Sequence, residues 1–273
     1  MNLFQVYIPV PGLKIFIFWM VVVTTSLLAD EGGQAAKTLR LAVIYIEEPP
    51  FVYTTSNSEY RGIIPELAQA LSRELNLELE YLPMPRKGLE QSLLNGKADV
   101  TWLSPEWVTN KEQLIFSDPV FMYREFLYSL NPFNESGKPL DWLRDKTICL
   151  REDYQYPSLD RFFVDNVARA VKVSSQVALV TLLLKKRCDL LNMNEHRAIW
   201  EINSLGIERK VWRSSKPLEE TELTFVFNKK WQTKMAQVNQ ELSEIKRSGE
   251  LSAIIKTNIH LSLLPNPKST KFD

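Results

Sequence analysis

The stretch "TLRLAVIYIEEPPFVYTTSNSEYRGIIPELAQALSREL", residues 38–75, gives the clearest indication of the fold class. It begins with a run of apolar and β-branched residues, which predicts a buried strand. It ends with apolar residues that recur every three to four positions, which predicts an amphipathic helix with Pro65 in its first turn. The first part of the connector, "EEPPFVY", carries two carboxylates, two prolines and two aromatic rings, although a turn needs only small residues. The stretch therefore predicts a strand, a helix and a connector that does more than turn the chain.

The alternation of strand and helix continues along the chain. The segments "LELEYLPM", "RKGLEQSLLNGK" and "ADVTWLS" predict a strand, a helix and a strand, and Gly96 suits the left-handed cap of that helix. After the turn-rich connector "NPFNESGKP", the alternation restarts at "KTICLRE" and continues to a helix closed by Gly206. "TELTFVFNKK" predicts a further strand, and a largely helical segment with a break near Gly249 follows it. This order indicates mainly parallel sheets flanked by helices, in two α/β units.

The composition argues against several classes of function. The 273 residues include 33 basic and 33 acidic side chains, so no net field attracts nucleic acid. Glycine is scarce, and the chain has no phosphate-binding G-x-x-x-x-G-K-[ST], dinucleotide-binding G-x-G-x-x-G or hydrolase G-x-S-x-G motif. The length allows one large domain or two lobes. We expect no nucleic-acid partner and no cofactor.

The N-terminus has the pattern of an export signal. The run "IFIFWMVVVTTSLLA" ends at Ala29, is uncharged and is preceded by Lys14. It is shorter than the roughly twenty residues of a membrane-spanning helix, but it fits the apolar part of a signal peptide. We predict a signal peptide over residues 1–29 and a periplasmic protein, with cleavage after Ala35 or Ala36 as a later alternative. An uncleaved membrane anchor and a buried helix are the other interpretations.

The two cysteines leave two interpretations open. In an exported protein, Cys149 and Cys188 could form a disulfide. Each also lies in an apolar, strand-like run, where a free cysteine behaves as a small hydrophobic residue. We expect two free thiols.

Six motifs in order carry a resemblance to a known family. They are "LRLAVIYIEEPPFVY", "RGIIPELAQALSREL", "LLNGKADV", "FSDPVF", "KKRCDLL" and "LSEIKRSGELSAIIKTN", and they span roughly residues 38–259. In this order and spacing they resemble the periplasmic solute-binding proteins of the amino-acid type, extracellular solute-binding family 3.

The resemblance implies an α/β fold of the periplasmic binding protein type 2. Two lobes, each a mainly parallel sheet with flanking helices, would be joined by two hinge strands and would close on a ligand in the cleft between them. Lobe 1 would combine residues 38–129 with 222–262, lobe 2 would be residues 130–221, and residues 263–273 would form a flexible tail. The implied partners are a small-molecule ligand and an inner-membrane ABC permease or a sensor, and we expect a monomer.

The charged anchors of that family are replaced in this chain. Amino-acid binders of the family use an Arg before the F-S-D-P motif for the ligand carboxylate, and Asn110 takes that place. They use an Asp after the last strand of lobe 2 for the ammonium group, and Asn194 takes that place. We therefore expect a small polar ligand other than a plain amino acid. Arg86, at the end of a strand and before a helix, is our candidate for a substitute anion clamp.

The other candidates for ligand binding are aromatic and polar residues in loops and at strand ends. They are Phe51, Tyr53, Trp102, Ser104, Tyr154 and Tyr156. Core packing is the alternative for Phe51 and Trp102, surface stacking is the alternative for the two tyrosines of "REDYQYP", and a solvated surface position is the alternative for Arg86. Glu47 and Glu48 form either a solvated pair in the loop or a pair of which one member reaches the cleft.

An enzymatic function has less support in the sequence. His196 and His260 lack metal-ligand spacing, so we expect surface or packing roles for both and no metal site. A cleft enzyme of the cyclohexadienyl dehydratase type is the alternative, because a fold does not determine a function. We therefore predict an exported, non-catalytic solute-binding protein that serves an ABC-type transporter. A sensory receptor without a transporter is the second alternative.

Overall fold

A computed structural model describes most of the chain. The described residues are 38–45, 47–135, 140–152, 154–207 and 211–260. The predicted signal peptide, residues 1–29, and the predicted tail, residues 263–273, lie outside them. No helix within the described ranges is long and apolar enough to cross a membrane.

Strands and helices alternate along the described residues, as the sequence predicts. The strands are β1 Thr38–Ile44, β2 Tyr53–Thr54, β3 Tyr60–Arg61, β4 Glu78–Met84, β5 Val100–Leu103, β6 Leu114–Phe116, β7 Phe121–Ser129, β8 Thr147–Arg151, β9 Arg169–Val173, β10 Leu190–Asn194, β11 Trp212–Arg213 and β12 Glu219–Asn228. The α-helices are α1 Ile63–Glu74, α2 Gly88–Leu94, α3 Pro157–Val164, α4 Gln176–Leu184, α5 Glu195–Ser204, α6 Met235–Arg247 and α7 Glu250–His260. Short 3₁₀ helices lie at Pro105–Trp107, Lys111–Gln113, Asp141–Leu143 and Lys229–Lys234.

The connector after β1 folds back onto the start of α1. The backbone N–H of Ile63 donates to the carbonyl of Pro50 at 2.9 Å, and that of Ile64 donates to the carbonyl of Phe51 at 3.0 Å. These bonds satisfy two of the N–H groups that a helix leaves unpaired at its first turn. Gly62 makes the approach possible, because its φ is +118° and a Cβ atom there would lie 2.5 Å from the Phe51 oxygen. The connector is therefore tightly fixed to α1.

Within the described chain, ten strands pair into one mixed sheet. Its order is β4-β1-β5-β12-β7-β10-β8-β9, with β6 beside β12 and β11 beside β7. Strands β4, β1 and β5 are parallel to one another, and so are β10, β8 and β9. Between them, β12 and β7 run antiparallel and pair with strands on both sides. Two strands therefore connect two parallel α/β halves.

Each half has its own hydrophobic packing. In the first half, Leu67 of α1 and Val238 of α6 pack with Phe51 and Phe225 in one large core. In the second, Leu179 of α4 packs with residues of β7, β8 and β10. The α/β fold that the sequence predicts is confirmed. The lobe boundaries near residues 129 and 222 stay a prediction.

The expectation of two free thiols was wrong. Cys149 and Cys188 form a disulfide, with Cα atoms 5.8 Å apart. Cys149 lies in β8, and Cys188 lies just before β10, its parallel neighbour. The β8–α3–β9–α4–β10 order thus brings residues 39 positions apart into contact. Because this closeness arises from strand pairing, the apolar character of each segment could not predict it.

Candidate functional site

An aromatic cluster surrounds the ring of Phe51 in the connector between β1 and α1. Phe51 is fully buried. Its centroid lies 5.4 Å from that of Trp102, 5.7 Å from that of Tyr123 and 6.3 Å from that of Phe121. His196 contacts the same ring edge-on at 6.1 Å. The cluster, which we call the Phe51 cluster, therefore combines side chains from the connector, β5, β7 and α5.

A buried ion pair lies against this cluster. The guanidinium of Arg197 is 5.4 Å from the centroid of Phe51. Its Nη2 atom is 3.5 Å from Oε2 of Glu48, and the hydroxyl of Tyr154 donates to Oε1 of Glu48 at 3.4 Å. Only 3% of the Arg197 side chain and 14% of that of Glu48 are exposed. Glu48 of the connector therefore contacts both α5 and the loop after β8.

The charges of this pair follow from their surroundings. Burial acts to lower the pKa of Arg197, but the nearby groups of Glu48, Tyr123, Tyr154 and Glu201 together outweigh it, and the pKa is raised above its ordinary value. Burial raises the pKa of Tyr154, and Glu48 raises it further. Arg197 is therefore a permanent cation, and Tyr154 is a neutral hydrogen-bond donor at neutral pH.

Several polar atoms at the Phe51 cluster have no hydrogen-bond partner among the described residues. They are Nε1 of Trp102, Nε of Arg197 and Nδ1 of His196, and all three are buried. Buried polar groups in proteins are nearly always paired, so unpaired ones need an explanation. The arrangement therefore combines packed, buried aromatic rings with unpaired polar atoms beside them.

Arg86 lies at the exposed rim of the cluster. Its guanidinium is 5.4 Å from the ring of Trp107, which in turn contacts Tyr123 edge-on at 5.3 Å. Burial and Glu48 raise the pKa of Tyr154, and Arg86 lies close enough to offset part of this rise. The proposed role of Arg86 as an anion clamp stays a prediction.

Asn110 and Asn194, which the resemblance predicts to replace the family's charged anchors, make internal hydrogen bonds. The side-chain amide of Asn110 donates to Glu90 at 2.6 Å. Asn194 is the N-cap of α5: its Oδ1 accepts from the backbone N–H groups of His196 and Arg197, and its Nδ2 donates to the carbonyl of Arg124. Asn194 therefore holds the first turn of α5, from which Arg197 reaches Phe51.

Three further candidates also bond within the protein. Ser104 is buried, and its hydroxyl lies 2.6 Å from that of Thr221. The hydroxyl of Tyr156 donates to the carbonyl of Arg151 at 3.1 Å. Tyr53 approaches Asn258 of α7 at 3.5 Å. Contact of these three residues with a ligand stays a prediction.

Sequence reasoning missed Arg197 and Tyr123 and named Glu48 only as an alternative. Arg197 lies three residues after the N-cap Asn194, a place where an arginine is usually solvated. The "NEHR" cap pattern predicts a helix start but not what its side chains meet. His196 was expected in a surface or packing role, and its edge-on contacts with Phe51 and Phe121 confirm packing.

A separate cavity of about 560 Å³ lies in the second half of the sheet. Its lining includes Trp142, Arg161 and Lys216, and none of the residues of the Phe51 cluster or its ion pair. One of its polar groups, Glu135, already accepts hydrogen bonds from Ser215. We favour the Phe51 cluster as the site, because it combines a buried charge with unpaired polar atoms. Within the described ranges, no three His, Cys, Asp or Glu side chains are grouped as metal ligands.

Solved structures with the same fold include three binding or sensor proteins. An ancestral cationic amino acid solute-binding protein has 20% identity and a TM-score of 0.68, over 82% of this chain and 96% of that one. An amino acid ABC transporter substrate-binding protein from Streptococcus pneumoniae, bound to L-arginine, has 19% identity and a TM-score of 0.62, over 83% and 96%. A histidine kinase sensor domain similar to periplasmic binding proteins has 16% identity and a TM-score of 0.63, over 82% and 96%.

These likenesses confirm the predicted type 2 periplasmic binding protein fold. Among curated proteins, a search found no match to the chain. The family model described as bacterial extracellular solute-binding proteins, family 3, matches residues 41–260. The chain therefore belongs to the bacterial extracellular solute-binding proteins of family 3.

Proposed function

We propose that this protein is an exported, non-catalytic receptor that binds a small polar organic molecule at the Phe51 cluster. The observation that carries the proposal is the group of unpaired, buried polar atoms around a cluster of stacked aromatic rings. A ligand with polar atoms would satisfy these groups, and its apolar part would stack on the rings. Family membership supports the same function.

The proposed ligand lies between two lobes, with the boundaries predicted from the sequence. Glu48 and Trp102 come from the first half, whereas Arg197 and Tyr154 come from the second. Strands β7 and β12 pair with both halves, so small changes in their backbone angles would open and close the cleft. The ligand is one other than a plain amino acid, because the anchor positions carry uncharged asparagines that bond within the protein.

Transport and sensing are both consistent with the fold. The similar structures include an ABC transporter substrate-binding protein and a histidine kinase sensor domain. We propose a monomeric receptor for an inner-membrane permease as the first function, with a sensor as the alternative partner. The Cys149–Cys188 disulfide supports a periplasmic location, because disulfides persist in oxidising compartments.

A cleft enzyme is the second candidate function. One similar structure is an ancestral amino acid-binding protein that is a precursor of cyclohexadienyl dehydratase, with 20% identity and a TM-score of 0.62. Incubating the protein with prephenate and following product formation by absorbance separates the two functions. We expect no turnover.

A thermal-shift screen tests the receptor function. The purified protein is heated with L-amino acids, dicarboxylates, polyamines and sugars, and we expect at least one class to raise the Tm. Phe51→Leu should abolish that shift, whereas Trp142→Leu, in the separate cavity, should leave it unchanged. A shift abolished by Trp142→Leu alone would move the site to that cavity, and the absence of any shift would contradict the receptor function.

A further inference from the structure

We infer that the ligand carries a carboxylate and that Arg197, rather than the exposed Arg86, receives it together with the indole N–H of Trp102. This inference rests on the proposed function, since it names the class of ligand for the same site. Neither Arg197 nor its partner Glu48 corresponds to an anchor position of the motifs in the sequence.

The first observation is the incomplete pairing of Arg197. A guanidinium has five N–H donors in a planar fork, and it needs acceptors for them when it leaves water. The Arg197 side chain is 3% exposed, and its Nε has no hydrogen-bond partner in the described part of the chain. Its ion-pair partner Glu48 approaches Nη2 at 3.5 Å, which is longer than a good hydrogen bond. The Nε–H group of the buried Arg197 guanidinium therefore lacks a hydrogen-bond acceptor among the described residues.

The second observation is an independent donor at the same ring. The indole Nε1 of Trp102 can only donate, and it is buried without a partner among the described residues. Trp102 stacks on Phe51 at 5.4 Å, and the Arg197 guanidinium lies 5.4 Å from the same ring. Two unpaired donors therefore border one aromatic ring. A carboxylate, with two acceptor oxygens and a negative charge, satisfies both.

The charges at the site disfavour the other ligand classes. A cationic ligand on Phe51 would lie beside the permanent charge of Arg197, and like charges at short distance repel. Glu48 offsets part of this repulsion, but its carboxylate already pairs with Arg197 and accepts from the Tyr154 hydroxyl, so it has less capacity to bind a ligand cation. A neutral ligand can accept hydrogen bonds from the unpaired donors, but these bonds lack the assistance of a negative charge. A carboxylate ligand accepts charge-assisted hydrogen bonds, which are about twice as strong.

Calorimetry with a matched series tests the inference. The probes are the C3 to C6 dicarboxylates, their diamides and the diamines of equal length, titrated into the full protein. We expect at least one dicarboxylate to bind, with an affinity about 10- to 100-fold higher than that of its diamide, and no binding of the diamines. Binding of diamides or diamines as tightly as the dicarboxylates would overturn the inference.

Two variants assign the carboxylate to its donors. Glu48→Gln/Arg197→Met removes both charges of the pair, so that no buried charge is left alone, and should weaken dicarboxylate binding about tenfold or more. Trp102→Phe keeps a ring against Phe51 but removes the N–H, and should weaken binding less. Arg161→Met removes a guanidinium that lies over another ring, Phe162, and should change nothing.

The outcomes separate this inference from the receptor function. Unchanged dicarboxylate affinity in both Glu48→Gln/Arg197→Met and Trp102→Phe would overturn the assignment of the carboxylate to Arg197 and Trp102. If the first variant is unstable, Trp102→Phe still tests the assignment, because it keeps all charges. Suppose that a neutral or cationic compound raises the Tm in the thermal-shift screen and that no dicarboxylate does. This result would overturn the inference, but it would still support the receptor function. No binding in either experiment would overturn both.

Discussion

Glu48 and Arg197 form an ion pair, with Oε2 and Nη2 3.5 Å apart, that joins the connector after β1 to the first turn of α5. The hydroxyl of Tyr154 contacts the same carboxylate. Both charges are largely shielded from water, so the loss of one partner leaves the other poorly solvated. The pair therefore contributes to stability and sets the charge that an incoming ligand meets.

Removing one charge of the pair should cost stability. We expect Glu48→Ala to lower the free energy of unfolding by about 3 kcal/mol, because Arg197 remains buried without its counter-charge. Urea denaturation measures the change. Glu59→Ala is the control, since it breaks an exposed pair with Arg61 of similar length, 3.4 Å, and should cost less than about 1 kcal/mol. Equal losses in the two variants would contradict the structural role of Glu48.

A methyl group at Gly62 should disturb the connector. We expect Gly62→Ala to destabilise the protein by more than about 1 kcal/mol. The new Cβ would lie 2.5 Å from the Phe51 oxygen, and residue 62 has a φ of +118°. The matched control is Gly96→Ala, which also has a positive φ, +69°, but no atom within 4 Å of the added Cβ. Denaturation curves that show the larger loss for Gly96→Ala would refute this account.

The disulfide should stabilise the second half of the sheet. We expect the double variant Cys149→Ala/Cys188→Ala to lose about 2–4 kcal/mol of unfolding free energy, because the loop between the two cysteines is no longer closed in the unfolded chain. Dithiothreitol should lower the urea midpoint of the wild-type protein and leave that of the double variant unchanged. An unchanged wild-type midpoint under full reduction would show that the crosslink adds no stability.

Glu125 should make stability depend on pH. Burial raises its pKa to about 7 in the folded protein, Asn192 lowers it by donating at 2.5 Å, and Glu219 raises it. Because the folded pKa exceeds the unfolded one, the folded state holds the proton more tightly. The contribution of Glu125 to stability is therefore complete below about pH 4.5 and is lost as the pH rises through about 7.

The variant Glu125→Gln tests this dependence. It should flatten the fall in unfolding free energy as the pH rises from about 4.5 through about 7. Glu201, whose pKa burial also raises to about 7, should keep part of the fall in this variant. Denaturation midpoints that fall equally in the wild type and the variant would exclude Glu125 as a source.

Local patterns predicted the elements of the fold well. The strand and helix of residues 38–75 match β1 and α1, and Gly96 closes α2 with a positive φ, as expected. These features depend on side chains within a few positions of one another, so the sequence specifies them directly. Phe51 and Trp102, chosen for their places beside strand ends, lie together in the Phe51 cluster.

The polar contacts around Phe51 join residues that are far apart in the sequence. The sequence alone predicts the α/β alternation and the aromatic connector, and its resemblance to the family predicts that Asn110 and Asn194 replace the charged anchors. The contacts of Cys149 with Cys188 and of Arg197 with Glu48 are evident only in the three-dimensional structure. These contacts arise from the order in which strands pair, and the pairing of distant strands leaves no periodic signal in the segments themselves.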